Sequence, residues 1–232
     1  MMEFLSNYWV VLGITLLLSL ASSAYVKYSY RKYDAVRTSR GITSNEFVRR
    51  MFLENGISDV SVAHVSGTLT DNYNNRAKTL SLSDSTYGKD SVAAVGVAAH
   101  EAGHAVQYKT DYFPVRLRSG MVGIVNIGSY LGIILAIIGS LFMNGIGDLL
   151  VQIGILLYST VFVFTVVTLP VEFNASRRAI AAVRDSGCFT DEETAGMKRV
   201  LTAAALTYVA AMASALLNLL RIISIFGGRR RR

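Results

Sequence analysis

Five consecutive residues, His100-Glu-Ala-Gly-His104, hold the densest chemistry in the chain. On a helix, positions i and i+4 share one face a turn apart, so two imidazole nitrogens can meet a single ion. Glu101 falls beside them, where it can take a proton from a water held by that ion without ligating the ion itself. The chain has three histidines in all, and two of them stand at this spacing. Zinc suits a nitrogen-plus-carboxylate donor set and can bring the pKa of its water to about 7. The spacing therefore points to metal-assisted hydrolysis with Zn2+ as cofactor.

A catalytic zinc needs a third protein ligand and one open position. Glu172 is the better candidate. It follows an uninterrupted apolar run and Pro170, where an acid has no solubility role, and it begins a segment through Ala179 that reads as helix. Ala175 and Ala179 share its face, small enough to let this helix approach Gly103, an interior glycine that costs a helix about 1 kcal/mol and needs a packing reason. The plainer reading of Glu172 is a boundary carboxylate held by a helix dipole. His64, the remaining histidine, lies in a strand-like run and is the next candidate.

The elements around these residues follow from patterning. Ser91 to Tyr108 reads as one helix, capped near Asp90 or Ser91. Thr43-Ser-Asn-Glu46 is a capping box that opens a helix to about Asn55, with Gly56 as its stop, and Thr190-Asp-Glu-Glu193 is a second box that starts the last helix. From Val60 to Ser83 short alternating runs surround a polar turn, Asp71 to Asn75, which predicts a hairpin-like pair of strands. Thr79-Leu-Ser-Leu-Ser83 is the candidate strand for holding an extended peptide. Tyr208, Arg177 and Arg178 are the candidate donors to a developing oxyanion.

Composition sets the surroundings. Apolar residues make up 52% of the 232 residues and charged ones 17%, against about 25% charged in ordinary soluble domains; mean hydropathy is +0.40. Tyr8 to Val26 is uncharged and long enough to span a bilayer, and the absence of Lys or Arg before it disfavours a signal peptide. Ser119 to Gly147 and Leu149 to Val171, parted by Asp148, form an antiparallel transmembrane hairpin with a turn at Met143–Asp148. Val200 to Leu220 is a fourth apolar tract, interrupted at its end by Arg221. Of 23 basic residues, 13 lie between Lys27 and Arg118, so the net charge of +7 is explained by sequence flanking apolar spans and not by nucleic-acid binding. The same rule places 27–118 and 172–199 in the cytoplasm, with Glu3 and the hairpin turn outside. A complete fourth span would send Arg229–Arg232 outside, against that rule. The lone Cys188 cannot form an intramolecular disulfide and reads as a bland thiol.

Val97-Ala-Ala-His-Glu-Ala-Gly-His-Ala-Val-Gln107, Leu169-Pro-Val-Glu-Phe-Asn-Ala-Ser-Arg-Arg-Ala179 and Ala204-Ala-Leu-Thr-Tyr-Val-Ala-Ala211 together resemble the bacterial YugP-type membrane zinc metallopeptidases, over nearly the whole chain. In outline the sequence is also similar to the HtpX and CAAX prenyl protease group. The resemblance implies that Glu172 is the third zinc ligand and that the active site faces the cytoplasm of the cell. Two departures stand out. Ser176 occupies the position where the HtpX group has an Asp four residues after its ligand Glu. Asn72 and Asn74-Asn75 stand where the YugP pattern has His and Asp-Pro.

The expected architecture is a mainly α integral membrane protein with three to four transmembrane helices and an α+β zincin-like cytoplasmic catalytic domain carrying HExxH on a helix. Its segments are an anchor at 1–26, a metallopeptidase segment at 27–118, a transmembrane hairpin at 119–171, a cytoplasmic segment with the third ligand at 172–199, and an apolar helix with its Arg tail at 200–232. The expected function is a membrane-anchored zinc endopeptidase with Glu101 as general base and His100, His104 and Glu172 on the metal, serving membrane-protein quality control. Its partners are a peptide or protein substrate and the lipid bilayer, with no nucleic acid; the pattern carries no signal for an oligomeric state. The competing readings are an intramembrane protease and a non-catalytic zinc scaffold. Lys89, Asp90 and Lys109 flank the HExxH helix too closely for the first, and no fourth ligand is at hand for the second.

Overall fold

The computed structural model describes residues 7–142 and 145–226. Glu3, Met143 of the expected hairpin turn and the Arg229–Arg232 tail lie outside the described residues.

Among the described residues six helices and a small sheet follow in the order α1 (Tyr8–Asp34), α2 (Ser44–Glu54), β1 (Ser61–Val65), β2 (Asn72–Asn74), β3 (Thr79–Ser83), α3 (Val92–Lys109), α4 (Phe113–Leu141), α5 (Gly145–Asp185) and α6 (Asp191–Phe226). Among the described residues α1, α4, α5 and α6 are each long and apolar enough to cross a membrane. The chain is a multi-pass membrane protein. The segment beginning at Glu172 is not a separate helix but the continuation of the second hairpin helix, which runs through Pro170 without ending. A proline removes one N–H from the ladder, and apolar helices tolerate that loss where local adjustments satisfy the freed carbonyl.

The chain divides into two compact units. The first comprises residues 1–21, 116–169 and 207–232. Within it α4 and α5 pass backbone to backbone: a Cβ on Gly132 would meet the Gly154 carbonyl oxygen at 2.8 Å, and one on Gly154 would meet the Gly132 oxygen at 2.6 Å. Small residues at such crossings are the usual means of bringing apolar helices together where lipid supplies no hydrophobic drive. The Arg221 guanidinium lies 4.9 Å from the centre of the Tyr8 ring, which accommodates a charge at the end of an apolar helix.

The second unit comprises residues 22–115 and 170–206. Its core joins Phe47, Val48, Met51 and Phe52 of α2 to Leu80 and Leu82 of β3, to Val95, Ala98, Ala99, Ala102 and Val106 of α3, and to Ala179, Met197 and Leu201 of α5 and α6. Thr43 caps α2 through a complete capping box, with Asn55 at its C-cap and Gly56 at φ +62° beyond. Glu193 closes the second box on Thr190. Ser91 caps α3 through the Ala94 N–H.

The sheet departs from the expected hairpin. Three strands stand in the order β1-β3-β2, with β1 parallel and β2 antiparallel to β3. Residues Asn72–Asn74 of the polar stretch are themselves a strand, because Tyr73 anchors them with its ring 5.9 Å from that of Tyr108. The turn falls later. Asn74 Oδ1 accepts the N–H groups of Arg76 and Ala77, and Lys78 takes φ +48° to return the chain.

Candidate metal centre

α3 is apolar on nearly every side and buried through most of its length, so its polar face is reduced to a narrow window at His100, Glu101 and His104. One helical turn sets the two imidazoles 4.9 Å apart, nearly perpendicular. α5 supplies the opposite wall. Gly103 lets it approach, since a Cβ there would stand 2.8 Å from the Ala175 carbonyl oxygen. Glycine at this position is therefore required by the crossing, as the sequence suggested.

That approach delivers Glu172, 2% exposed, to the histidines. Its Oε2 lies 3.3 Å from His100 Nε2 and 3.6 Å from His104 Nε2. A tetrahedral zinc with bonds of about 2.0–2.1 Å holds its ligand atoms about 3.3–3.4 Å apart, so the spacing fits that ion. The protonation pattern fits too. His104 Nδ1 donates to Gln107 Oε1 at 3.0 Å, which leaves the Nε2 lone pair of a neutral ring facing a carboxylate oxygen. Two imidazole nitrogens and a carboxylate oxygen set in this way form a donor set for a cation. His100, Glu101 and His104 each offer a ligand atom within 4.8 Å of the others, so Glu101 stands beside this point.

The outer nitrogens are held as well. His100 Nδ1 is 3.1 Å from Ser176 Oγ, so the serine that replaces an Asp of the HtpX group still contacts the imidazole. Gln107 is fully buried and is fixed by its own amide, which donates to the Val171 carbonyl at 2.7 Å and to Asn174 Oδ1 at 3.0 Å. Asn174 Oδ1 also accepts from Arg178 Nε, and Arg178 Nη2 donates to Thr110 Oγ1. Such partners fix the orientation of both imidazoles. Gln107 and Asn174 were not picked out from the sequence. The available signals were a polar residue three positions after His104 on an otherwise apolar helix, and another two positions after Glu172.

Burial pushes the Glu101 carboxyl upward, with Glu172 and Asp71 adding to the shift and the two histidines opposing it. For His104 burial acts against the charged form, but the Glu172 hydrogen bond and the Glu101 charge outweigh it and raise the ring.

Residues 8–227 match the family described as "Putative neutral zinc metallopeptidase". The chain belongs to that family. A curated relative, "Putative membrane protease YugP" of Bacillus subtilis (strain 168), is 41% identical over 210 residues, which cover 90% of this chain and 92% of the relative. No solved structure matches the chain. The protein is thus a membrane zinc metallopeptidase, and its metal is Zn2+.

The remaining candidates fall elsewhere in this metallopeptidase. His64 sits on β1, half exposed, with Nε2 2.6 Å from Asp84 Oδ1 and its ring 5.1 Å from that of Tyr87. It is engaged at the surface by the Asp84 carboxylate. β3 is the central strand, paired with β1 from Thr79 to Ser83 and with β2 from Thr79 to Ser81, so among the described strands the open edges are mainly those of β1 and β2. Local alternation reports a strand but not its rank in the sheet. Arg178 is committed to Asn174 and Thr110, Arg177 is exposed on the neighbouring face of α5, and Tyr208 lies in the other compact unit.

Proposed function

We propose that His100, His104 and Glu172 hold the zinc, and that the protein is an endopeptidase in which Glu101 is the general base. The observation that carries this reading is the convergence of Glu172 Oε2 on both histidine Nε2 atoms at 3.3 and 3.6 Å. When bound, zinc polarises the scissile carbonyl and acidifies a water at the open position. Glu101 then accepts the proton of that water and passes it to the leaving amine. Gln107 and Ser176 keep the imidazoles turned toward the metal, so no ring reorganises during turnover. Ala102 and Gly103 exclude bulk water from beneath the site.

The catalytic unit works in the cytoplasm, at the face of the cell membrane, on peptide segments of membrane or exported proteins. The basic residues Lys27, Arg31 and Lys32 at the C-terminal end of α1, with Arg37 and Arg40 beyond it, support that orientation. α3 is outside the set of helices apolar and long enough to span, which favours a site in a folded unit over one at bilayer depth.

The test is detergent-purified protein assayed for zinc content and casein hydrolysis beside its Glu101→Gln variant. Hydrolysis by the wild type alone, with zinc near one per chain in both, is expected. Equal activity in both proteins removes Glu101 from the mechanism.

A further inference from the structure

α5, which carries Glu172, lines a concavity together with α6. It has a volume of about 380 Å³, within the range of small-molecule sites. Its apolar lining includes buried Leu201 and Ala205 of α6 and, on α5, the partly buried Ile180 and the exposed Ala181. Its rim carries three cations, Arg177, Arg184 and Lys198, and no acidic side chain lines it. None of the three makes a side-chain hydrogen bond or ion pair among the described residues. Three cations without protein partners beside apolar side chains form a favourable place for an anion that also carries an apolar part.

The course of the two helices says what kind of ligand. On α5 the lining begins at Phe173, two residues after the apolar run that ends at Val171. On α6 it ends at Leu206, inside the apolar run from Val200 to Leu220. The groove therefore lies along helix segments that continue into apolar ones, and an occupant with an anionic head and an apolar tail matches both parts. We propose that this groove binds an anionic phospholipid, its phosphate between Arg177, Arg184 and Lys198 and an acyl chain along Ile180, Ala181, Leu201 and Ala205. Basic pockets between such helices are a recognised way of holding anionic headgroups. Ser176 belongs to the lining and also contacts His100, so the groove and the proposed metal site share one residue.

The experiment uses full-length protein in an uncharged detergent, titrated with dioleoyl phosphatidylglycerol or dioleoyl phosphatidylcholine, with bound lipid per chain read by native mass spectrometry. Phosphatidylglycerol is expected to bind at least tenfold more tightly. Changing Arg177, Arg184 and Lys198 together to Gln should weaken it about 100-fold, from about fivefold per cation. The same change at Arg31, Arg49 and Arg76, exposed cations elsewhere, should leave affinity within about threefold. Ala181→Trp fills the groove and should abolish binding with all cations in place. Circular dichroism confirms that each variant is folded, and the three single substitutions serve if the triple one is not. Equal losses in both triple variants would reduce the effect to general electrostatics and overturn the site. So would unchanged affinity in Ala181→Trp, displacement by glycerol phosphate at the same concentration as lipid, or displacement by hexaglutamate at a lower one. Binding requires neither zinc nor turnover, so the result stands apart from the assignment of Glu101.

Discussion

The carbonyl oxygen of Ala175 lies 2.8 Å from the point a Cβ would occupy on Gly103, so α3 and α5 meet there backbone against backbone. A methyl group at that point cannot be absorbed by a flexible side chain. Gly103→Ala gains about 1 kcal/mol of helix propensity but forces the helices apart, and overpacking of this kind costs about 1–3 kcal/mol. Since the same crossing carries Glu172 to the histidines, zinc affinity should fall along with thermal stability. A variant that melts higher and binds zinc as tightly would show that the crossing does not set the site.

Glu101 and Glu172 should fail differently. Glu101→Gln keeps size and leaves the three proposed ligands, so zinc stays near one per chain while turnover falls by about 10²-fold or more. Glu172→Ala removes a ligand, and zinc leaves with the activity. Metal analysis of the two purified variants separates the roles; stoichiometric zinc in Glu172→Ala rejects the ligand assignment.

Gln107 touches no metal, yet it decides which nitrogen of His104 is free. Gln107→Ala should lower zinc affinity by about 10- to 100-fold, as measured by competition with a chelator, while the protein remains folded. An unchanged affinity would mean that the crossing alone aligns the ring.

His64→Ala should keep its zinc. Its measurable effect is on Asp84, whose carboxyl is held below the ordinary range first by the Gly67 N–H and then by His64. Loss of the imidazole should move the Asp84 titration upward, toward the usual carboxylate value. The stabilisation that this lowered pKa represents is present above the unfolded carboxylate pKa and is lost as pH falls through the folded one, so the variant and wild type should converge in acid. Loss of zinc in His64→Ala would return His64 to the ligand set.

The orientation of the second unit is tested by Lys32→Cys in a Cys188→Ser background. An impermeant thiol reagent should leave intact cells unlabelled and label them once permeabilised. Ready labelling of intact cells reverses the topology.

Much of this arrangement is written locally. The i, i+4 spacing of His100 and His104 puts two imidazoles on one face of any helix that forms there, and the caps at Thr43, Ser91 and Thr190 are contacts across three residues. Apolar runs of membrane length are equally local, because the bilayer's thickness measures them directly. Glu172 could be narrowed to a candidate because an acid after an apolar run stands out, but only the α3–α5 crossing brings its Oε2 to both Nε2 atoms across 72 and 68 residues of chain. Ser176 became an imidazole partner by the same crossing, whereas Gln107 meets His104 within α3 and the crossing only fixes its amide on Val171 and Asn174. The sheet shows the limit from the other side: alternation marked Thr79–Ser83 as a strand, whereas its central place depends on pairing with β1 and β2, and hydrogen bonds between strands leave no local trace in the side-chain pattern. The cationic groove likewise exists because α5 and α6 run side by side, which sets Lys198 opposite Arg177 and Arg184 although nothing in either segment refers to the other.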